Sequence, residues 1–276
     1  WGSRPHTARR RLGKPEAVAR RGPACYRRSM SGKLAAAAAA AACACVALSG
    51  CTGVPADERP VVRIVEAAQP SPAIPLGPFL PTGQELATLL ATGPNGLLGR
   101  PVEGDADVLL RSVADAQVAP AECVSAAYRM QEIVYDTSPV QSVASNTWAG
   151  GGFDGPPVSG FFGVVQMTDP GAAQEFFASL TDQWRRCNGQ TVSLQSPDHG
   201  AGEMSRITGV AFDQRVVSAH VLHASGGTES PTGMRAVGLA GDCIVEVELV
   251  DPRAAADGRS AVAVADAILD KIAAVR

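Results

Sequence analysis

Positive charge is scarce in most of this sequence. Residues 1–50 hold 10 of the 24 Lys and Arg and one of the 27 Asp and Glu, so residues 51–276 carry 14 basic against 26 acidic side chains, a net charge of −12. Nucleic-acid phosphates and anionic headgroups are held by clustered Lys and Arg, so a dispersed acidic charge argues against both as partners. Hydrophobic length is the second shortage. Beyond residue 50 no apolar stretch reaches 18 residues, so nothing there is long enough to read as a membrane-spanning helix. Catalytic signatures are missing as well: there is no Gly-x-Ser-x-Gly elbow, no Gly-rich nucleotide loop, no His-Arg-Asp loop and no Asp-Phe-Gly. The expectation is a non-enzymatic protein without cofactor or metal.

What the sequence does contain is an export signal. Leu34 to Leu48 is an Ala-rich apolar run of 15 residues, preceded by Arg27, Arg28 and Lys33 and followed by Ser49, Gly50 and Cys51. As a helix it would measure about 22 Å, short of the ~30 Å hydrocarbon core. A basic flank, a short apolar run and small residues in that order describe a secretory signal rather than a permanent span. Leu48-Ser49-Gly50-Cys51 is similar to the lipobox at which bacterial signal peptidase II cuts before a diacylglyceryl-cysteine. Residues 30–50 are therefore expected to be a signal peptide and Cys51 the lipid attachment site. The mature chain would then sit on the extracytoplasmic face of the cell membrane, held by its acyl chains. Residues 1–29 begin with Trp1 and are basic and irregular, which fits an over-extended N-terminus with translation starting at Met30.

Residues 51–81 carry Pro55, Pro60, Pro70, Pro72, Pro75, Pro78 and Pro81 and are expected to form an extended linker, with a short strand at Val61–Val65. Residues 82–276 are enough for one domain with a sizeable core. Thr82-Gly83-Gln84-Glu85 has capping-box spacing, with Leu86, Leu89 and Leu90 on one face behind it. A short element is expected over 108–113, and a helix from Pro120 through about Gln131. Strands are expected at 142–148 and 158–167. Asp169 and Pro170 then open a helix whose Ala173, Phe176, Phe177, Leu180 and Trp184 form the buried stripe, with Arg185 and Arg186 in its last turn. Period-two alternation predicts strands at 190–195, 203–210, 215–224, 234–240 and 243–250, and 259–275 closes the chain as a helix. Consecutive strands without intervening helices pair antiparallel, so the fold class is α+β: a largely antiparallel, curved sheet with helices packed on it.

This order of pieces resembles the PknH-like extracellular sensor domain, found on actinobacterial receptor kinases and on mycobacterial lipoproteins. The matching residues are Pro120-Ala121-Glu122-Cys123, Asn146-Thr147-Trp148, Val164-Val165-Gln166-Met167, the run from Asp169 to Phe177, Gln183-Trp184-Arg185-Arg186-Cys187 and the 263–268 helix. They span roughly 83–275, and the Phe-Phe…Trp-Arg-x-Cys helix is the most specific part. The resemblance implies an extracytoplasmic domain with a cleft for an unidentified ligand, and a disulfide between Cys123 and Cys187. Where kinase-linked members carry a second bridge this chain has only Cys243, expected to be a buried thiol.

Of seven cysteines, Cys25, Cys43 and Cys45 lie in segments expected to be removed and Cys51 is the lipid site, which leaves an odd three. A Cys123–Cys187 bridge would close a loop worth on the order of 3–4 kcal/mol. His220 and His223 point to opposite faces of a strand and form no zinc spacing with His199. Glu246 and Glu248 share one strand face. They are expected to be solvated, with an acid–base pair as the alternative.

Three functions stay open. A ligand-binding lipoprotein, taking a small or lipid-like molecule or an envelope protein, predicts a concave, mostly apolar pocket. A hydrolase acting on envelope material predicts an acid–base pair converging in that pocket. A structural interaction module predicts a flat apolar patch instead.

Overall fold

The computed structural model describes residues 70–276 apart from 94–95, 115, 152–156, 196–201, 230–232 and 254–259. The leader, the lipobox with Cys51, the strand expected at Val61–Val65 and His199 lie outside the described residues.

The capping box is formed. The Thr82 side chain accepts from Glu85 N–H, the Glu85 carboxylate accepts from Thr82 N–H, and helix α1 runs over Gly83–Leu89. Short strands β1 (Leu97–Leu98), β2 (Val102–Gly104) and β3 (Gln117–Ala119) follow. The element expected at 108–113 is a 3-10 turn, Ala106–Val108, with one parallel bridge from Leu110 to Gln131.

The helix expected from Pro120 through Gln131 is broken. A 3-10 turn over Ala121–Cys123 leads into α2 (Val124–Ala127), and α3 covers Glu132–Tyr135. Tertiary hydrogen bonds draw the intervening backbone out of the helix. Met130 N–H donates to Glu246 Oε2 at 3.0 Å, Leu110 N–H to Met130 O and Glu132 N–H to Leu110 O. Met130 takes a left-handed φ of 44°, a conformation disfavoured for a side-chain-bearing residue.

The remaining elements follow the sequence closely. They are β4 (Val140–Gly150), β5 (Val158–Met167), α4 (Pro170–Cys187), β6 (Thr191–Gln195), β7 (Glu203–Asp213), β8 (Val216–Ser225), β9 (Thr228–Glu229), β10 (Gly233–Ala240), β11 (Cys243–Val250) and α5 (Ala261–Ala273). Asp169 caps α4 by accepting from Ala172 N–H, and Ser260 caps α5 by accepting from Ala263 N–H. All strands pair antiparallel in one sheet of order β1-β4-β5-β11-β10-β8-β7-β6-β3, with β2 beside β4 and β9 beside β8. The class is α+β.

The central strands are covered on both faces. Val245, Val247 and Leu249 of β11 pack with Val264, Ile268, Leu269 and Ile272 of α5, joined by Leu86 of α1 and by Leu90 at its C-terminal cap. On the other face Ile244, Val237 and Val217 pack with Leu180 and Trp184 of α4 and with Tyr135. Phe176 and Phe177 are only half-buried. Phe176 stacks on Tyr135 at 4.7 Å between ring centroids, so the end of the aromatic stripe meets α3 rather than the sheet. The end of the expected linker is part of the core: Leu76, Phe79 and Leu80 are buried beside Trp148 and α5. Four large apolar side chains among its prolines, Ile74, Leu76, Phe79 and Leu80, outweigh the extended preference of the tract.

A disulfide joins Cys123 to Cys187, with a Cα separation of 5.6 Å, and ties the segment before α2 to the end of α4. Cys243 is a buried free thiol, pushed up to about 12 by burial and by the Asp242 carboxylate. It should therefore resist iodoacetamide at about pH 8 in the folded protein and react once the chain is unfolded. Because the folded state keeps this proton longer than the unfolded state, the thiol's contribution to stability is intact below about pH 8.5 and falls away as pH rises towards 12. Melting curves across that range check the sign.

Candidate functional site

A buried ionic network occupies the α4-side face of the sheet. Arg235 is fully buried and Glu246 is 3% exposed. Arg235 Nη2 donates to Glu246 Oε2 at 2.6 Å and Tyr135 Oη donates to Oε1 at 2.5 Å, while Met130 N–H also reaches Oε2. Burial, then the adjacent Glu246 charge, holds the Tyr135 hydroxyl well above its usual range, so it stays a donor. Among the described residues Arg235 Nε and Nη1 find no hydrogen-bond partner. The expected solvated face for Glu246 and Glu248 is thus overturned. Their strand alternates as a half-exposed strand would, but α4 and the 121–135 segment cover its polar side.

The network opens outward. Arg129 Nη1 donates to Glu248 Oε1, and the Arg129 guanidinium lies 4.6 Å from the centroid of the Phe161 ring. Together with Thr147, Ser159 and Val250 they line a pocket of about 200 Å³. Along the same face Ser205 Oγ lies 2.7 Å from His223 Nδ1 and 3.0 Å from Tyr128 Oη. Burial lowers the His223 pKa despite the neighbouring Glu248 and Glu203. Glu203 Oε1 faces the same Nδ1, at 3.5 Å. A serine-histidine-acid relay needs the hydroxyl and the carboxylate on opposite ring nitrogens. Here both meet one nitrogen and Ser205 is fully buried, so the trio holds strands β7 and β8 to Tyr128 and presents no nucleophile. Glu246, with three donors on its carboxylate, is not a free base.

The opposite face carries a different cavity. Between α1 and α5 lies a groove of about 540 Å³, floored by Pro81, Leu89, Ala267 and Ile268. Its rim holds the ion pair of Lys271 Nζ with Glu85 Oε2 at 2.7 Å. Burial works against the Glu85 carboxylate, but Lys271 and the Thr82 cap outweigh it and keep the group below its usual range. A second hollow of about 580 Å³ adjoins it along α1, sharing Gln84 and Thr88 and extending to Gly83, Ala87, Gly93 and Gly96. Exposed apolar side chains gather at the sheet edge, where Leu97 is 77% and Val102 50% exposed.

Of the residues singled out in the sequence, Cys123 and Cys187 are brought together, Cys51 lies outside the described residues, and Glu246 and Glu248 meet Arg235 and Arg129. Sequence reasoning missed both arginines and Tyr135. A signal existed for Arg235: it is the single charge in the apolar strand Gly233–Ala240, next in sequence to a strand with two carboxylates on one face. His220 and His223 lie on opposite faces of β8, and among the described residues no cluster of three or more His, Cys, Asp or Glu is placed to hold a metal. Among them, too, no helix is long and apolar enough to cross a membrane.

The PknH-like extracellular domain family model matches residues 71–271. The fold is similar to the crystal structure of the extracellular domain of PknH from Mycobacterium tuberculosis, with a TM-score of 0.60, 20% identity, and coverage of 74% of this chain and 97% of that one. An uncharacterised protein of Mycobacterium smegmatis aligns at a TM-score of 0.38 and 17% identity, over 68% of this chain and 96% of that one. No curated protein matches the chain at a significant level. With the family model covering nearly all of the described residues, the chain belongs to the PknH-like extracellular domain family.

Proposed function

We propose that this protein is a cell-envelope lipoprotein, anchored through Cys51, whose sensor-type domain binds a lipid-like ligand in the groove between α1 and α5. The observation that carries the proposal is the groove itself. It is concave, mostly carbon-lined and within the usual range of ligand cavities, and its charged groups are already paired, Glu85 with Lys271 and Asp270 with Arg215. An apolar chain laid over Leu89, Ala267 and Ile268 would be removed from water, which contributes about 0.8 kcal/mol per buried methylene. The lipobox supports the location, and the acyl anchor would keep the domain within reach of membrane lipid.

Native mass spectrometry of protein purified from its own envelope tests this. The expected result is an added mass of a lipid-like molecule that is lost when Ala267→Trp fills the groove. A wild-type protein that carries nothing, or a mass unchanged by the substitution, would overturn the assignment.

A further inference from the structure

We propose that the 200 Å³ pocket at Arg129 and Glu248, on the face opposite the α1–α5 groove, is a second binding site, for a neutral polyhydroxy ring the size of one sugar unit.

Charge balance selects the class of ligand. The pocket carries one guanidinium and one carboxylate, paired through Arg129 Nη1 and Glu248 Oε1, so a net charge on the ligand gains little. Hydrogen-bonding capacity nevertheless remains. Among the described residues Arg129 Nη2, on a part-exposed side chain, donates to no group and Glu248 Oε2 receives no hydrogen bond, whereas Arg129 Nε is buried out of reach of the pocket. Thr147 and Ser159, on the neighbouring strands β4 and β5, add two exposed hydroxyls. Donor, acceptor and two groups that do both match a ring whose hydroxyls each donate and accept. An apolar guest would leave these groups unpaired, at a penalty for each.

The pocket is also built to hold its shape. Arg129 packs over Phe161, and its carbonyl accepts from Gln131 Nε2 at 2.8 Å. The next residue, Met130, is held in its left-handed conformation by Glu246, which Arg235 and Tyr135 fix in turn. A buried, partly unsatisfied ion pair directly behind a half-buried one is a poor device for stability alone. As support for a binding residue it has a purpose, because a site is only as well ordered as the shell behind it. A half-buried salt bridge at Arg129–Glu248 by itself does not explain the network that supports it from behind.

The test is a titration of the 51–276 chain with D-glucose, D-galactose, D-arabinose and myo-inositol in separate experiments, followed by 15N NMR, with sodium acetate and sodium phosphate as charged competitors. At least one of the four neutral rings is expected to give saturable shifts at Arg129 Nε and the amides of 147, 159–161 and 248, with a Kd in the millimolar range. Glu248→Gln and Ser159→Val should each weaken that binding about tenfold, equivalent to about 1.4 kcal/mol, without moving the rest of the spectrum. Ser159 is exposed, so its variant retains the fold even if the glutamine variant does not. No saturable shift with any ring up to about 50 mM, binding by both variants as tight as by wild type, or tighter binding of acetate or phosphate would each sink the proposal. None of these outcomes touches the α1–α5 groove, whose test is separate.

Discussion

Glu246→Leu should lower the free energy of unfolding by about 3–5 kcal/mol, the largest single-residue effect expected in this protein. The substitution leaves Arg235, fully buried and already short of partners at Nε and Nη1, without its counter-charge. It also strips the acceptor from Tyr135 Oη and Met130 N–H, each a buried donor. Against a typical domain stability of about 5–15 kcal/mol such a loss is easily measured in urea titrations. Glu246→Gln should cost less than Glu246→Leu, since it keeps one acceptor for these donors while it removes the charge and turns the other oxygen into an amide donor that faces a donor. The double variant Arg235→Met with Glu246→Gln should regain most of the loss, because it removes the unmet guanidinium altogether. A Glu246→Leu protein within about 1 kcal/mol of wild type would mean that water already reaches Arg235 and that the network is not dry.

Opening the Cys123–Cys187 bridge ranks second. With a sequence separation of 64 residues, the chain-entropy model gives about 4 kcal/mol for the cross-link. Replacing both cysteines by serine should lower stability by about that amount, and each single replacement should do nearly the same. The structural consequence is local. The bridge ties Cys123, at the start of the segment that covers the ionic network, to the C-terminal end of α4, so loosening it should raise hydrogen exchange first over 121–135. Both sulfurs are buried, so a reductant should act on the folded protein only as fast as it opens. A double serine variant as stable as wild type, or one whose exchange rises instead in β6 and β7, would contradict this placement of the constraint.

The two predictions concern the region where the sequence was least legible. Helix α4 could be read nearly to the residue, because Asp169, Pro170 and the apolar stripe to Trp184 are local signals that act within one helix. Strands β5 and β11 were equally plain, since a run of β-branched and aromatic residues does not depend on its neighbours to be extended. The segment from 120 to 135 was not, because its helical propensity is overridden by hydrogen bonds to Leu110 and Glu246, partners 20 and 116 residues away from Met130 in the chain. The burial of Leu76 and Phe79 escaped for the same reason: a proline tract reads as a spacer until a core is placed against it.

What the sequence determined by itself is the order and period of most elements, the odd cysteine and the resemblance to the family, because each is written in adjacent residues or in spacing along the chain. Only the tertiary structure decided that both faces of the central strands are covered, and this alone turned Glu246 from a surface carboxylate into a buried ion. Period-two alternation reports that two faces differ in polarity, but it carries no information on whether another layer covers the polar one. The two cavities proposed as binding sites have the same origin. Each is a gap between elements distant in sequence, α1 with α5 and the 128–132 segment with β4, β5 and β11, and such a gap exists only once those elements have packed.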